Sequence, residues 1–170
     1  MNADKMATVD FAGYIPALRY QPHAAAVIRG NERHPALSGL VRFYQTSYGV
    51  LVDVSLSGLP SPTDPCRSPM FGFHLHAGEE CGAGTVSDEP FAAALGHFNP
   101  EGCDHPYHAG DMPSLLGCRG RAFQLFLTDR FELDEVIGRT VVVHAMPDDM
   151  TTQPAGASGE RIGCGVIEAM

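Results

Sequence analysis

An all-β fold, an antiparallel sandwich or barrel with long loops, is predicted by three features of this 170-residue chain. Short apolar stretches with strand-like alternation recur along it, turn residues punctuate them, and helical periodicity is nearly absent. Glycine and proline contribute 19 and 13 residues, a composition suited to a turn-rich β fold and not to a helical bundle. At this length the chain is most simply one domain, able to bury roughly two thirds of its unfolded surface.

Taken in order, residues 1–23 predict an irregular arm, because Pro16 and Pro22 interrupt any helix. From residue 24 to 170 the chain reads as the β domain, with a first strand over Ala24 to Arg29. Leu40 to Gln45, a Ser47-Tyr48-Gly49 turn and Val50 to Ser57 predict a hairpin. In its second arm Val50, Val52, Val54 and Leu56 alternate with Leu51, Asp53, Ser55 and Ser57, placing one face on a core and the other near water. Leu59 to Pro69 is punctuated by four prolines and predicts a loop, followed by a strand over Met70 to His76. Residues 77–118 are rich in Gly, Pro, Asp and His with little periodicity, and predict a long functional loop. Strands are expected over Gly120 to Thr128, Thr140 to His144 and Ile162 to Ile167, with one short helical turn around Leu133 to Ile137. Ala145 to Glu160 is a second long loop.

The net charge of −9, without any long basic run, argues against nucleic acid and anionic membrane surfaces as partners. No stretch approaches the roughly 20 apolar residues that span a bilayer. Met1 to Gly13 carries Asp4, Lys5 and Asp10 and lacks the apolar segment of a signal peptide, so the expectation is cytoplasmic, or periplasmic or secreted if a leader was removed. Five cysteines (66, 81, 103, 118 and 164) are too few for a disulfide-dense scaffold, and the odd count leaves at least one unpaired within the chain.

The chemistry lies in the histidines. Six of the eight fall in a pattern suited to two metals: His74 and His76, then His97, His105 and His108 leading to Asp111, then His144. A His-x-His pair in a strand puts both rings on one face. Alone, such a pair is as readily two half-buried strand histidines. His144 ends another β-rich run, where a third imidazole can meet the first two, and three imidazoles suit copper, zinc or iron rather than calcium or magnesium. His97, His105, His108 and Asp111 make the three-imidazole, one-carboxylate set that zinc takes in structural sites. A loop so poor in apolar residues gains order from such a clip, since metal-binding energy becomes folding energy.

These residues resemble the copper,zinc superoxide dismutase family from about Ala24 onward. Leu51 to Pro60 is similar to that family's hairpin strand, and Gly72-Phe73-His74-Leu75-His76 to its first copper-ligand strand. His97-Phe98-Asn99-Pro100 resembles the segment with the bridging histidine, and His108-Ala109-Gly110-Asp111-Met112 the segment with the last two zinc ligands. Gly138 to His144 resembles the strand ending in the last copper ligand, and Gly159 to Ile167 the C-terminal strand. The resemblance sharpens the expected fold to an antiparallel Greek-key β-sandwich or flattened β-barrel with two long functional loops. It implies an oxidoreductase that converts superoxide to dioxygen and hydrogen peroxide by alternate reduction and reoxidation of copper.

Carried over by position, the resemblance implies copper on His74, His76, His97 and His144, and zinc on His97, His105, His108 and Asp111, with His97 bridging. It implies Arg161 as the guanidinium that docks the anion, a role suited to a permanently charged fork of donors. Asp148, with Asp149 as its near alternative, would link His74 to His105. Cys81 and Cys164 would form the intrachain disulfide. Cys103 and Cys118 have no clear counterpart and are left open as a pair or as free thiols; Cys66 is incidental. The resemblance implies superoxide as the partner and allows a homodimer. Three departures stand out: only Pro106-Tyr107 separates His105 from His108, the segment from His76 to Cys81 is short, and the loop before Arg161 is short and carries no lysine. The alternatives are a relative holding copper or zinc only, and a non-catalytic copper/zinc-binding module that buffers or delivers metal on the same fold.

Overall fold

The computed structural model describes residues 16–61, 64, 69–83 and 89–170. Most of the expected N-terminal arm and the Cys66 thiol lie outside these residues. A 3₁₀ turn, Pro16–Arg19, precedes the sheet. Eight antiparallel strands follow: β1 (Ala24–Gly30), β2 (Ser38–Thr46), β3 (Gly49–Ser57), β4 (Met70–His76), β5 (Asp111–Cys118), β6 (Arg121–Thr128), β7 (Thr140–His144) and β8 (Arg161–Ala169). They close into one barrel in the order β1-β2-β3-β6-β5-β4-β7-β8, with β8 pairing back onto β1. Strands β4, β5 and β6 are successive antiparallel neighbours, β5 and β6 as a tight hairpin and β4 and β5 through a long loop, and β7 returns beside β4, which is a Greek key. Closure leaves no open sheet edge.

The seven predicted strands appear: β4 and β7 have their expected limits, β1 and β3 are one residue longer, β2 and β8 three residues longer, and β6 one residue shorter. The expected helical turn is α1 (Leu133–Val136), closed by a capping box between Glu132 and Glu135. One strand was hidden. Residues 111–118, expected as loop, form β5, whose sequence DMPSLLGC carries a proline and a glycine that read as loop. Met112 and Leu115 nevertheless point into the core, and Pro113 sits before β5 joins β6, which pairs only at Gly117 and Cys118. A residue with no N–H is tolerated where no ladder partner needs one.

The alternation seen in the hairpin is what fills the barrel. Val50, Val52 and Val54 from β3 meet Val41 and Phe43 from β2, Phe73 and Leu75 from β4, Val141 and Val143 from β7, and Ile162 and Ile167 from β8. Each such side chain contributes about 1.5–3 kcal/mol by leaving water. Truncating Phe73, fully buried beside His74, would cost about 3–5 kcal/mol. Because successive residues of a strand face opposite ways, Phe73 and Leu75 go inward while His74 and His76 go outward, beneath the two long loops.

Candidate metal centre

Two loops fold over the outside of β4 and β7, and their backbones are pinned to the sheet. The Phe98 amide donates to Leu75 O (2.8 Å), the Leu75 amide to Gly110 O (2.9 Å), and the Gly110 amide to Phe98 O (2.8 Å). This ladder and an isolated bridge from His76 to His97 carry His97 to the end of β4. A Cβ on Gly110 would run into Leu75 O, so the close approach requires glycine. At the start of β7, Arg139 just before it donates to Ala77 O (2.6 Å) and Thr140 Oγ1 to Gly78 O (3.2 Å), fixing the chain as it leaves β4.

Four side chains converge from β4, the bridge segment and β7: His74, His76, His97 and His144, each offering one ring nitrogen, all within 4.8 Å of one another and all buried. His76 Nδ1–H donates to Leu95 O (2.9 Å) and His144 Nδ1–H to Gly159 O (3.2 Å). These acceptors assign the tautomers and leave the Nε2 of each ring as a bare lone pair. The two Nε2 atoms lie 3.3 Å apart. His74 Nε2–H donates to Asp148 Oδ2 (2.7 Å), so its Nδ1 is the free nitrogen.

His97, His105, His108 and Asp111 form a second group with the same 4.8 Å limit, so the short spacing between His105 and His108 does not keep the two rings apart. His97 Nδ1 is 2.7 Å from Asp111 Oδ1, and His108 Nδ1 is 3.3 Å from Asp111 Oδ2. His105 Nδ1 lies 3.1 Å from that same oxygen but is not aligned for a hydrogen bond. His97 belongs to both groups, with Nδ1 in the second and Nε2 buried without a partner. Three ring nitrogens are thus buried and unpartnered: His74 Nδ1, His97 Nε2 and His105 Nδ1. An orphaned buried acceptor costs about 1–3 kcal/mol, and three in one place fit cations that turn that cost into binding energy.

The two groups are tied together by Asp148, which accepts from His74 and, through Oδ1, from His105 Nε2 at 3.0 Å. Asp149, the near alternative, instead caps its own turn through Thr151 and Thr152. Gly156 (φ +65°) passes so close to this link that a Cβ would strike Asp148 Oδ1. Burial pushes the His74, His76 and His144 rings below the usual imidazole range, His144 to about 3. Burial works to raise the Asp148 carboxyl, but hydrogen bonds from His74, the Met150 amide and His105 outweigh it and hold it well below the usual carboxylate range. Asp111 is lowered too, against its burial, chiefly by the bond with His97. Neutral imidazoles and ionised carboxylates are the protonation states that cations need.

Arg161 opens β8 and lines a cavity of about 560 Å³ together with His76, His97 and His144. Its Nη1 donates to Phe91 O (2.8 Å) and its Nη2 to Leu95 O (2.7 Å), which hold the fork rigid. The Cys81–Cys164 disulfide is formed, 83 residues apart in sequence, and joins the loop after β4 to β8. Cys103 and Cys118 are free and exposed.

Three loop residues escaped the sequence reading. Gln153 exchanges two hydrogen bonds with the His105 backbone, Nε2 to O at 2.6 Å and N to Oε1 at 3.0 Å. Arg130 Nη1 reaches Pro106 O (3.0 Å), Asp111 O (3.1 Å) and His108 O (3.4 Å). Glu89 Oε1 stands 3.6 Å from Arg161 Nε. None lies in a motif, and a single polar loop residue carries no spacing signal.

A closed Greek-key barrel with two histidine groups sharing one imidazole defines a binuclear metalloprotein. The family model described as copper/zinc superoxide dismutase matches residues 37–167. A superoxide dismutase [Cu-Zn] 2 of Aquifex aeolicus is 34% identical over 144 residues, covering 76% of this chain and 78% of that protein. The solved Cu/Zn superoxide dismutase of Brucella abortus superposes with a TM-score of 0.71 at 25% identity, covering 85% of this chain and 99% of that one. A structure titled as the clock protein EA4 superposes with a TM-score of 0.70 at 27% identity, covering 89% and 97%. This chain belongs to the copper/zinc superoxide dismutase family. It is an oxidoreductase of copper and zinc with superoxide as substrate, a reading the comparisons favour over the metal-buffering module. No helix among the described residues is long and apolar enough to cross a membrane.

Proposed function

We propose that His74, His76, His97 and His144 hold copper, that His97, His105, His108 and Asp111 hold zinc, and that Arg161 docks superoxide. The observation that carries the assignment is the set of three buried, unpartnered nitrogens, two in the first group and one in the second, with His97 offering a nitrogen to each. When bound, copper supplies one-electron redox chemistry, by which one superoxide is oxidised to dioxygen and a second is reduced to peroxide.

The chain supplies the rest. Arg161 attracts the anion and, clamped by two carbonyls, orients it without first having to order its own side chain. His97 Nε2, buried and with no protein acceptor, would hold a proton when it is not serving as a metal ligand and would pass it to the reduced anion. The second proton of hydrogen peroxide would come from solvent. Asp148 locks the His74 and His105 tautomers, so both lone pairs keep their direction. The disulfide favours an oxidising compartment, periplasmic or extracellular.

The test is superoxide removal by the metal-loaded protein. His144→Ala should abolish it, and Arg161→Ala should lower it about tenfold or more, as expected when an oriented charge is lost from a docking site. Full activity after copper is stripped and zinc retained would overturn the assignment.

A further inference from the structure

The cavity over the metal centre holds one cationic and one anionic side chain among the described residues that line it: Arg161 and Glu89. They face each other, Arg161 Nε to Glu89 Oε1 at 3.6 Å. The guanidinium is the more buried partner, with its side chain 13% exposed against 47% for the carboxylate. Its terminal nitrogens are committed to Phe91 O and Leu95 O, so its position is set without Glu89. The carboxylate is therefore not needed as the clamp. What it changes is charge: it offsets the guanidinium's charge beside the histidine groups, in a chain of net charge −9.

We infer that Glu89 is a specificity-determining residue, a carboxylate that competes with the incoming anion for Arg161 and discriminates by ligand charge. The inference rests on Arg161 as the docking group. An anion at the guanidinium also lies within a few ångströms of Glu89, and their repulsion scales with the charge of the ligand. A monoanion such as superoxide feels it once and a dianion feels it twice. Glu89 thus lowers the affinity for the substrate and lowers the affinity for sulfate-like competitors by about the square of that factor. Half-exposed, the carboxylate is partly screened, which sets the effect on a monoanion at about threefold to tenfold at low ionic strength.

The experiment uses metal-loaded protein as wild type, Glu89→Gln, Glu89→Lys and Arg161→Ala, with thermal midpoints as a check on folding. Dissociation constants are measured for azide and sulfate by titration calorimetry, and superoxide removal is followed against ionic strength. Glu89→Gln should tighten azide about threefold to tenfold and sulfate by about the square of the azide factor, and Glu89→Lys should move both further. The rate should rise at low salt, and the gain should fade as salt is added. A structural role for Glu89 would weaken both anions and produce no such power relation. Unchanged or weaker binding in Glu89→Gln, with binding weakened in Arg161→Ala, overturns the role of Glu89 and leaves Arg161 as the docking group. Azide and sulfate binding unchanged in Arg161→Ala would instead overturn the docking assignment, and the inference with it.

Discussion

His76 and His144 turn their Nε2 lone pairs toward each other across 3.3 Å, while their Nδ1–H groups are occupied by the Leu95 and Gly159 carbonyls. Two neutral rings so arranged repel, and a proton between them is opposed by burial, which lowers both rings, His144 to about 3. A bound cation removes the repulsion. Metal should therefore raise the thermal midpoint sharply, by about 4 kcal/mol of stability at a free concentration a thousandfold above Kd. The stripped protein should also be acid-sensitive. The native rings stay neutral below pH 6.5 while the unfolded chain takes up protons there, so stability falls as pH drops from about 6.5 toward the folded values. The slope is about 1.4 kcal/mol per pH unit for each such histidine, and above pH 6.5 these rings add no dependence. Calorimetric scans of chelated and metal-loaded protein between pH 5 and pH 8 would check both; a stripped protein with a flat profile would contradict the buried, neutral assignment.

Asp148 is acceptor to both His74 and His105, and that duality gives a sharper test than removing a ligand. In Asp148→Asn one oxygen becomes an NH₂ that confronts a ring N–H. One of the two imidazoles must then flip its tautomer or swing away, and its free nitrogen no longer faces its group. Copper or zinc affinity should fall about tenfold to a hundredfold, read by competition against a chromophoric chelator. Wild-type affinities for both ions would show that the carboxylate does not set the ring orientations.

The segment from His105 to Asp111 is held from outside by Arg130, through three of its carbonyls, and by the Gln153 amide. With only Pro106-Tyr107 between two of the ring donors, little chain is available to absorb a shift. Arg130→Ala should weaken zinc about tenfold while leaving copper nearly unchanged, and Arg130→Lys should restore part of the loss, since an ammonium still donates to carbonyls. The electronic spectrum of cobalt placed in the zinc site would report the geometry directly. An unaltered spectrum and zinc affinity in Arg130→Ala would remove Arg130 from the site.

What the sequence made legible follows from how each feature is encoded. The β3 alternation and the valine run of β7 are local, two-residue patterns, and both strands emerge where they were expected. The convergence of six histidines and Asp111 was legible because metal-binding chemistry admits few residue types and such residues fall here in short, spaced sets. β5 was not. Its hydrophobic face is carried by only Met112 and Leu115, while Pro113 and Gly117 imitate a loop, and the strand exists because β4, distant in sequence, offers a partner along most of its length while β6 pairs only at its end. Arg130, Gln153 and Glu89 act through one or two side-chain atoms on a backbone or side chain far along the chain, and no local pattern encodes such a contact.

The Cys81–Cys164 bridge joins stability to the placement of Arg161, the proposed docking group. It sits in a small apolar cluster in which Cys164 packs with Ala94 and Val142, with Cys81 and Phe91 against them. Phe91 O and Leu95 O, the acceptors that fix Arg161, flank Ala94, so the bridge and its cluster hold the platform on which the guanidinium rests. In the chain-entropy view, closing a loop over a separation of 83 residues contributes about 4–5 kcal/mol to stability. Replacing both cysteines by serine should lower the thermal midpoint accordingly. At temperatures where that variant is still folded, azide should bind more weakly, because Arg161 must then be ordered at the moment of docking. A variant that loses stability while keeping wild-type azide affinity would separate the two, leaving the bridge a purely structural clamp and the carbonyl pair fixed by the barrel alone.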